Sequence, residues 1–204
     1  MPSQQPHRPA VERGGAGLFR YGEAAQQAWW IVDESYHHFT AAPMTLKSEL
    51  DRGQLIILRS LTKDMALAGL RLGYALAAPA LIDLLRRVQP AWSVNVLAQV
   101  AGIAALQPEV LAWRDESLHK VQQHARQLWS ELSKLGFTVL PTSTPYSLVQ
   151  VGQAAEFRRK LLLAGVLVRD CTSFGLPDFI RIAARRPEEN ERLLAAIQAQ
   201  IMSF

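Results

Sequence analysis

Two short, almost continuous apolar runs in the first third of the chain restrict its fold more than any other feature. One run, Trp29–Val32, ends in Asp33-Glu34-Ser35, and the other, Leu55–Leu58, ends in Arg59-Ser60-Leu61-Thr62-Lys63. Runs without alternation are typical of strands buried on both faces, as in parallel sheets covered by helices. The pattern therefore predicts an α/β layer with charged and hydroxyl side chains where its strands end.

Helical patterns dominate the residues that follow. A third strand is predicted within 70–77, and amphipathic helices are predicted over 79–90, 95–107 and 109–135, with Gly136 as the last stop signal. After Gly136, short strand patterns alternate with two helical ones, which indicates an α+β unit. We therefore predict an irregular leader over 1–28, a partial large α/β domain over 29–115 and a small α+β domain over 116–204.

The composition of the chain limits the classes of binding partner that we expect. The chain is 49% hydrophobic and 20% charged, with a mild net charge of +4 and no basic run, so a globular protein without a nucleic-acid partner is expected. Cys171 stands alone, which excludes an internal disulfide and fits a reducing cytoplasm. No apolar segment approaches the ~18 residues of a membrane span, so we expect no membrane partner and a cytoplasmic location.

The residues after the second apolar run have the chemistry of a cofactor site. Burial favours the neutral form of an amine, and a neutral lysine such as Lys63 attacks aldehydes. Ser60, Thr62 and Arg71 supply two hydroxyls and a bidentate cation, which together suit a phosphate. Pyridoxal 5′-phosphate is an aldehyde that carries a phosphate, so this pattern predicts that cofactor.

A carboxylate and a phenol complete the predicted site. Pyridoxal phosphate needs a carboxylate that keeps its ring nitrogen protonated, and Asp33 stands at the end of the first strand. Tyr36, three residues later, is a candidate hydrogen-bond donor to the phenolic oxygen of the ring. Taken singly, a lysine such as Lys63 after a strand is usually a solvated loop residue, and an aspartate such as Asp33 is often a helix cap. The combination of residues therefore carries the hypothesis.

Three stretches, residues 33–39 (DESYHHF), 59–77 (RSLTKDMALAGLRLGYALA) and 179–197 (FIRIAARRPEENERLLAAI), resemble fold-type I pyridoxal-phosphate enzymes of the class I/II aminotransferase group. Residues 90–106 and 167–185 are most similar, within that group, to the threonine-phosphate decarboxylases of cobalamin biosynthesis. The resemblance runs from about residue 29 to the C-terminus. It implies the C-terminal part of that α/β fold, with a partial, mostly parallel sheet and a small α+β domain.

The resemblance also implies roles for individual residues. Lys63 corresponds to the lysine that bonds covalently to the cofactor, Asp33 to the partner of the ring nitrogen and Tyr36 to the partner of the phenolic oxygen. The phosphate ligands implied are Ser60, Thr62 and Arg71. Arg181 corresponds to the arginine that binds the substrate carboxylate. Arg169 matches a second basic residue near the substrate, with a surface arginine on an edge strand as the alternative. No metal site is expected.

The activity implied is decarboxylation of L-threonine O-3-phosphate to (R)-1-amino-2-propanol phosphate. A class I/II aminotransferase, such as one acting on histidinol phosphate, and a non-catalytic remnant of the fold remain alternatives. The implied partner is a small phosphorylated amino acid, and the implied assembly of the full-length form is a homodimer.

The chain departs from the family on its N-terminal side. The glycine/serine phosphate turn, the aromatic residue that stacks on the ring and the Asn-Asn-Pro-Thr-Gly loop are not found in it. We therefore expect weak cofactor binding, poor turnover and a tendency to associate. Residues 2–19 permit, with suitable codons, a frame-shifted reading that contains Pro-Ala-Asn-Asn-Pro-Thr-Gly. An ordinary disordered leader is the alternative.

Overall fold

Two sheets organise residues 28–40 and 45–201, which are the residues that this computed structural model describes. The leader predicted over 1–28 therefore lies almost wholly outside the described residues. The first sheet contains β1 (Trp30–Asp33), β2 (Leu55–Ser60) and β3 (Gly73–Leu76). The second contains β4 (Thr138–Val139), β5 (Tyr146–Gln150), β6 (Arg169–Asp170) and β7 (Phe179–Ala183). The helices are α1 (Leu61–Asp64), α2 (Pro79–Val88), α3 (Val96–Ala105), α4 (Pro108–Lys134), α5 (Ala154–Leu163) and α6 (Pro187–Ile201).

The first sheet brings the ends of β1 and β2 to one edge. β1 and β2 are parallel, with Asp33 opposite Leu58, as the apolar runs predict. The expectation that both faces are buried is wrong, since Ile31 is 66% and Leu58 is 39% exposed. β3 instead pairs with β2 in the antiparallel sense, with Gly73 opposite Ser60. The cause is the connection, because α1 and the short 3-10 turn Ala68–Leu70 reverse the chain rather than carry it across the sheet.

The second sheet is antiparallel, in the order β4-β5-β7-β6, and has one helix-covered face. Alternation along β5 and β7 sends Ser147, Val149, Ile180 and Ile182 into the core. Their partners come from the three longest helices of this half of the chain: Leu128, Leu132, Leu161, Leu193 and Ile197. The opposite face of the sheet is less buried, and Tyr146 and Arg181 lie on it.

One long helix links the two parts. α4 is a single helix of 27 residues, so the domain boundary predicted at residue 115/116 falls inside it. Its first turns pack on α3 through Val110 and Leu111, and its last turns reach the core of the second sheet through Leu128 and Leu132. The two-domain division stays a prediction, and α4 is common to both parts.

The surface of α3 is unusually apolar. Its exposed residues include Val96, Leu97, Val100 and Ile103, each more than 60% exposed. The helix is capped by Asn95, whose side chain accepts from the Ala98 N–H. Within the described ranges, no single helix has the length and apolar character to cross a membrane. α3 and α4 together have the length and apolar composition of a membrane span, but the two helices are bent by 79° relative to each other.

Gly73 is required where β3 meets β2. A Cβ atom at this position would lie 2.7 Å from the Arg59 carbonyl oxygen, which is closer than real Cβ atoms come to backbone. We expect Gly73→Ala to lower the free energy of unfolding by about 1–3 kcal/mol. Gly69→Ala is the control, because a Cβ there meets nothing within 4 Å. Equal urea midpoints for the two variants would contradict this steric argument.

Candidate active site

Ser60 starts the short helix that carries Lys63. The Ser60 hydroxyl accepts from the Thr62 N–H at 3.2 Å, which caps the helix, and lies 2.7 Å from the Thr62 hydroxyl. The first turn then directs Thr62 and Asp64 inward and Lys63 outward. The sequence argument took Lys63 to be buried, and this is wrong because the strand ends three residues earlier.

A line of aromatic contacts runs from Lys63 to the second sheet. The Lys63 Nζ lies 5.6 Å from the centroid of the Tyr36 ring, within cation–π range. Tyr36 meets Tyr146 edge-on, with 5.2 Å between ring centroids. The Arg181 guanidinium lies 5.3 Å from the centroid of Tyr146. The structure thus brings together three residues predicted for the site, and Tyr146 is the bridge that sequence reasoning missed.

The environment of Asp33 keeps its carboxylate ionised. Hydrogen bonds from the Ser35 side chain and backbone N–H, the latter 2.8 Å long, and the charge of Lys63 hold the Asp33 pKa below its ordinary value. The folded-state pKa is the lower one, so this group stabilises the fold above its unfolded pKa, and that contribution is lost as pH falls through the folded pKa. At neutral pH, Asp33 is a negative charge at the end of β1.

The backbone conformation places Arg71 at the sheet edge where β1 and β2 end. It adopts a left-handed conformation with φ of 55°, and the next residue, Leu72, accepts a hydrogen bond from the Leu61 N–H at 3.1 Å. This places the chain around Arg71 beside the start of α1, near Ser60. The guanidinium is exposed and donates to the Ala68 carbonyl at 2.9 Å. Among the described residues, this local hydrogen bond is the one that the guanidinium makes, and an anion can replace it.

Arg169 and Arg181 stand opposite each other on β6 and β7. Directly opposed residues of an antiparallel pair share a face, and both arginines are exposed. Arg169 donates to the Ser173 hydroxyl at 3.0 Å and lies 5.3 Å from the Phe174 ring centroid. The two arginines therefore place a pair of positive charges on the face that also carries Tyr146.

A cavity of about 630 Å³ lies beside β6, and its lining includes Arg169 and Arg181. Lys63 is not among its lining residues. Three further arginines contribute to the lining: Arg158, Arg185 and Arg192. This cavity therefore coincides with the arginine pair, whereas Lys63, the predicted covalent lysine, lies at the edge where β1 and β2 end.

A buried ion pair that sequence reasoning missed joins the ends of β1 and β2. The Glu34 and Arg59 side chains are only 6% and 10% exposed and lie 2.6 Å apart. Glu34 also accepts from the Arg59 Nε at 2.8 Å, the Thr45 hydroxyl at 3.0 Å and the Leu46 N–H at 3.1 Å. Glu34 follows Asp33 directly and Arg59 precedes Ser60, so this pair fastens the two strands at the candidate site.

Cys171 is buried beside the arginine pair, and burial raises the pKa of its thiol against the opposing charge of Arg181. We expect this thiol to react with a thiol reagent at neutral pH at least about tenfold more slowly in the native chain than in urea. The denatured chain is its own control. A native rate equal to the denatured rate would show that the thiol is accessible and ionised.

No group of His, Cys, Asp and Glu residues in the described ranges is arranged to hold a metal ion. The candidate groups are an amine, a carboxylate, a phenol, two hydroxyls and guanidinium groups. This set suits an aldehyde that carries a phosphate and a protonated ring nitrogen. The residues predicted from the sequence therefore still fit pyridoxal phosphate when their surroundings are taken into account.

Comparison with known proteins identifies relatives of this chain. The profile of the family described as "Aminotransferase class I and II" matches residues 23–197. The histidinol-phosphate aminotransferase of Methylobacillus flagellatus is 34% identical over 178 residues, which cover 85% of this chain and 47% of the relative. The chain thus spans about half the length of the curated relatives that it matches.

Solved structures have the same fold. The L-threonine-O-3-phosphate decarboxylase from Porphyromonas gingivalis has a TM-score of 0.81 at 25% identity, over 93% of this chain and 60% of that chain. The histidinol-phosphate aminotransferase from Sinorhizobium meliloti, solved in complex with pyridoxal-5'-phosphate, has a TM-score of 0.76 at 23% identity, over 87% and 50% respectively. The predicted fold class is confirmed.

Proposed function

This chain belongs to the aminotransferase class I and II family, and from that premise we propose that Lys63 bonds covalently to the cofactor at the β1–β2 edge. The cofactor is pyridoxal 5′-phosphate, which confirms the prediction from the sequence. The observation that carries the proposal is the contact line from Lys63 through Tyr36 and Tyr146 to Arg181. These contacts connect the Lys63 amine with the positively charged Arg181. An enzyme that acts on anionic amino compounds needs both groups near its cofactor.

Pyridoxal phosphate supplies, when bound, an aldehyde that condenses with an amine with loss of water, and a ring that withdraws electrons. Lys63 would provide the protein amine and would later accept or return a proton at the substrate's Cα. Asp33, kept ionised by Ser35, would hold a proton on the ring nitrogen. Tyr36 would donate to the phenolic oxygen, and the phosphate would be bound by Ser60, Thr62 and Arg71.

The substrate we propose is a small amino compound that carries a phosphate. A phosphate and a second anionic group match two neighbouring guanidinium groups better than neutral groups do. Arg169 and Arg181 would each bind one anionic group and thereby orient the substrate above the ring. The orientation would matter because it would determine which bond at the substrate's Cα the electron-withdrawing ring activates.

Amino transfer from histidinol phosphate is the first candidate reaction. It is favoured by the aminotransferase relatives, which are 34% identical over 178 residues. Histidinol phosphate has no carboxylate, so one arginine would bind its phosphate. The other would serve the carboxylate of the 2-oxo acid that takes up the amino group.

Decarboxylation of threonine phosphate is the second candidate, and the arginine pair is the observation that favours it. Threonine phosphate presents a carboxylate and a phosphate at the same time, and Arg169 and Arg181 stand side by side in register. In this case Lys63 would protonate Cα after carbon dioxide leaves. The sequence resemblance to threonine-phosphate decarboxylases points the same way, whereas the aminotransferase relatives favour the first candidate.

Two product assays separate these reactions. We expect the cofactor-loaded chain to form glutamate from histidinol phosphate and 2-oxoglutarate if the first is correct, and to release carbon dioxide from threonine phosphate if the second is. Arg169→Met should lower either rate at least about tenfold, since a charged hydrogen bond is lost. Arg126→Met, at an exposed position on α4, is the control. Equal rates for both variants would contradict the role of Arg169.

The remaining alternative is that the chain is a non-catalytic remnant of the fold. Covalent uptake of the cofactor distinguishes this alternative from the catalytic proposal. We propose that the chain as given binds pyridoxal phosphate weakly and turns over slowly, and that the longer form is a cytoplasmic homodimer. An absorbance titration with the cofactor measures the affinity. A chain that shows no covalent uptake at any cofactor concentration would exclude the catalytic proposal. Tight binding with fast turnover would instead contradict the expected weakness.

A further inference from the structure

Asp64, the residue after Lys63, has a carboxylate that is only 2% exposed and does not belong to the proposed cofactor site. Its Oδ2 lies 2.8 Å from His38 Nδ1 and 3.9 Å from Arg114 Nη1. Among the described residues, its Oδ1 is buried without a hydrogen-bond partner. A buried carboxylate with so few partners depends strongly on those it has.

The three partners come from three different elements. His38 lies in the 3-10 turn His37–Phe39 that follows Tyr36, Asp64 ends α1, and Arg114 belongs to α4. Arg114 is itself held by Asp115, which accepts from its Nε at 2.9 Å and its Nη2 at 2.7 Å. Asp64 is therefore the point at which the Tyr36 turn, the Lys63 helix and the long helix meet.

The short His38 contact joins two segments of the proposed site. The 2.8 Å between His38 Nδ1 and Asp64 Oδ2 is an ion-pair distance that also suits a hydrogen bond. This contact spans the two segments that present Tyr36 and Lys63, whose ring and amine are 5.6 Å apart. A second bond, from Gln122 Nε2 to the Phe39 carbonyl at 2.9 Å, ties the same turn to α4.

We propose that His38, Asp64 and Arg114 form a positioning cluster that holds the Tyr36 turn against the Lys63 helix. The proposal rests on the assignment of Lys63 and Tyr36 to the cofactor. The cluster touches neither substrate nor cofactor. It acts by keeping the phenol and the amine at one separation, so its loss should loosen the turn and weaken cofactor capture without unfolding the chain.

Four variants test the cluster by two measurements. Asp64→Asn removes the charge at constant size, and His38→Ala removes the donor. His38→Asn keeps an amide donor near the place of Nδ1, and His119→Ala, at an exposed histidine of α4, is the control. The first measurement is hydrogen exchange of the Phe39 and Thr40 amides, which bond to the Tyr36 and His37 carbonyls, in the cofactor-free chain. The second is the apparent dissociation constant of pyridoxal phosphate.

For Asp64→Asn and His38→Ala we expect about tenfold faster exchange at these two amides and about tenfold weaker cofactor binding. His38→Asn should recover both values to within about twofold, and His119→Ala should change neither. Two outcomes would overturn the proposal. One is agreement of the first two variants with His119→Ala, and the other is an equal acceleration throughout β5 and β7, which would mean general destabilisation.

The two measurements also distinguish failure of the positioning cluster from failure of the proposed function. A wild-type chain that takes up no cofactor would contradict the proposed function and remove the consequence for cofactor capture. The exchange pattern would still decide the cluster, because it is recorded without cofactor. Local acceleration at Phe39 and Thr40, rescued by His38→Asn, supports the cluster in either case.

Discussion

Replacing Lys63 with alanine is expected to abolish covalent retention of pyridoxal 5′-phosphate completely while leaving the fold intact. The side chain is exposed, and its nearest described aromatic contact is the Tyr36 ring at 5.6 Å, so little packing is lost. The change in the free energy of unfolding should stay within about 0.5 kcal/mol, as for surface substitutions. Borohydride reduction followed by peptide mapping measures the retained cofactor.

Lys47→Ala is the matched control for this experiment. Lys47 is also an exposed lysine, but it lies in the 3-10 helix Lys47–Arg52, outside the candidate site. This variant should retain as much cofactor as the wild-type chain. Label on a peptide without Lys63, or undiminished label in Lys63→Ala, would refute the assignment of the covalent lysine and with it the proposed catalytic role of the β1–β2 edge.

Replacing Arg59 with methionine should cost about 3–5 kcal/mol of unfolding free energy, because it leaves the Glu34 carboxylate buried without its cation. The carboxylate would keep the Thr45 hydroxyl and the Leu46 N–H, which solvate a charge less well than a guanidinium does. The expected loss is a large fraction of the stability of a domain of this size. Urea denaturation monitored by circular dichroism measures it.

Two further variants isolate the charge effect. The double variant Glu34→Gln/Arg59→Met restores neutrality and keeps an acceptor for the Leu46 N–H, so it should recover at least half of the loss. Arg86→Met breaks an exposed pair in which Arg86 and Asp83 are 73% and 65% exposed, and should cost less than about 1 kcal/mol. If Arg59→Met is no more harmful than Arg86→Met, the pair does not hold the two strand ends.

The sequence by itself determined the features that depend on neighbours along the chain. Continuous apolar runs predicted β1 and β2, and helical periodicity over 109–135 predicted α4, which begins at Pro108 and ends at Lys134. The α/β fold, the cofactor and the class I/II family are confirmed. They were accessible because Ser60, Thr62 and Lys63 lie within four residues, and parallel strands end at one edge.

The finer resemblance to threonine-phosphate decarboxylases stays a prediction. A solved decarboxylase shares the fold at 25% identity, whereas the histidinol-phosphate aminotransferase of Methylobacillus flagellatus is 34% identical. Both candidate reactions would use the same proposed lysine, carboxylate and phosphate ligands. Short motifs around these groups therefore indicate the family and do not distinguish the two candidate reactions.

Only the tertiary structure decided which distant residues meet. Glu34 and Arg59 are 25 positions apart, Asp64 pairs with residues from two other elements, and Tyr36 meets Tyr146 across two sheets. No local pattern encodes these pairs, because each depends on how whole strands and helices pack. The same packing turned Lys63 outward and Asp64 inward, since the Ser60 cap set the phase of the helix that both residues share.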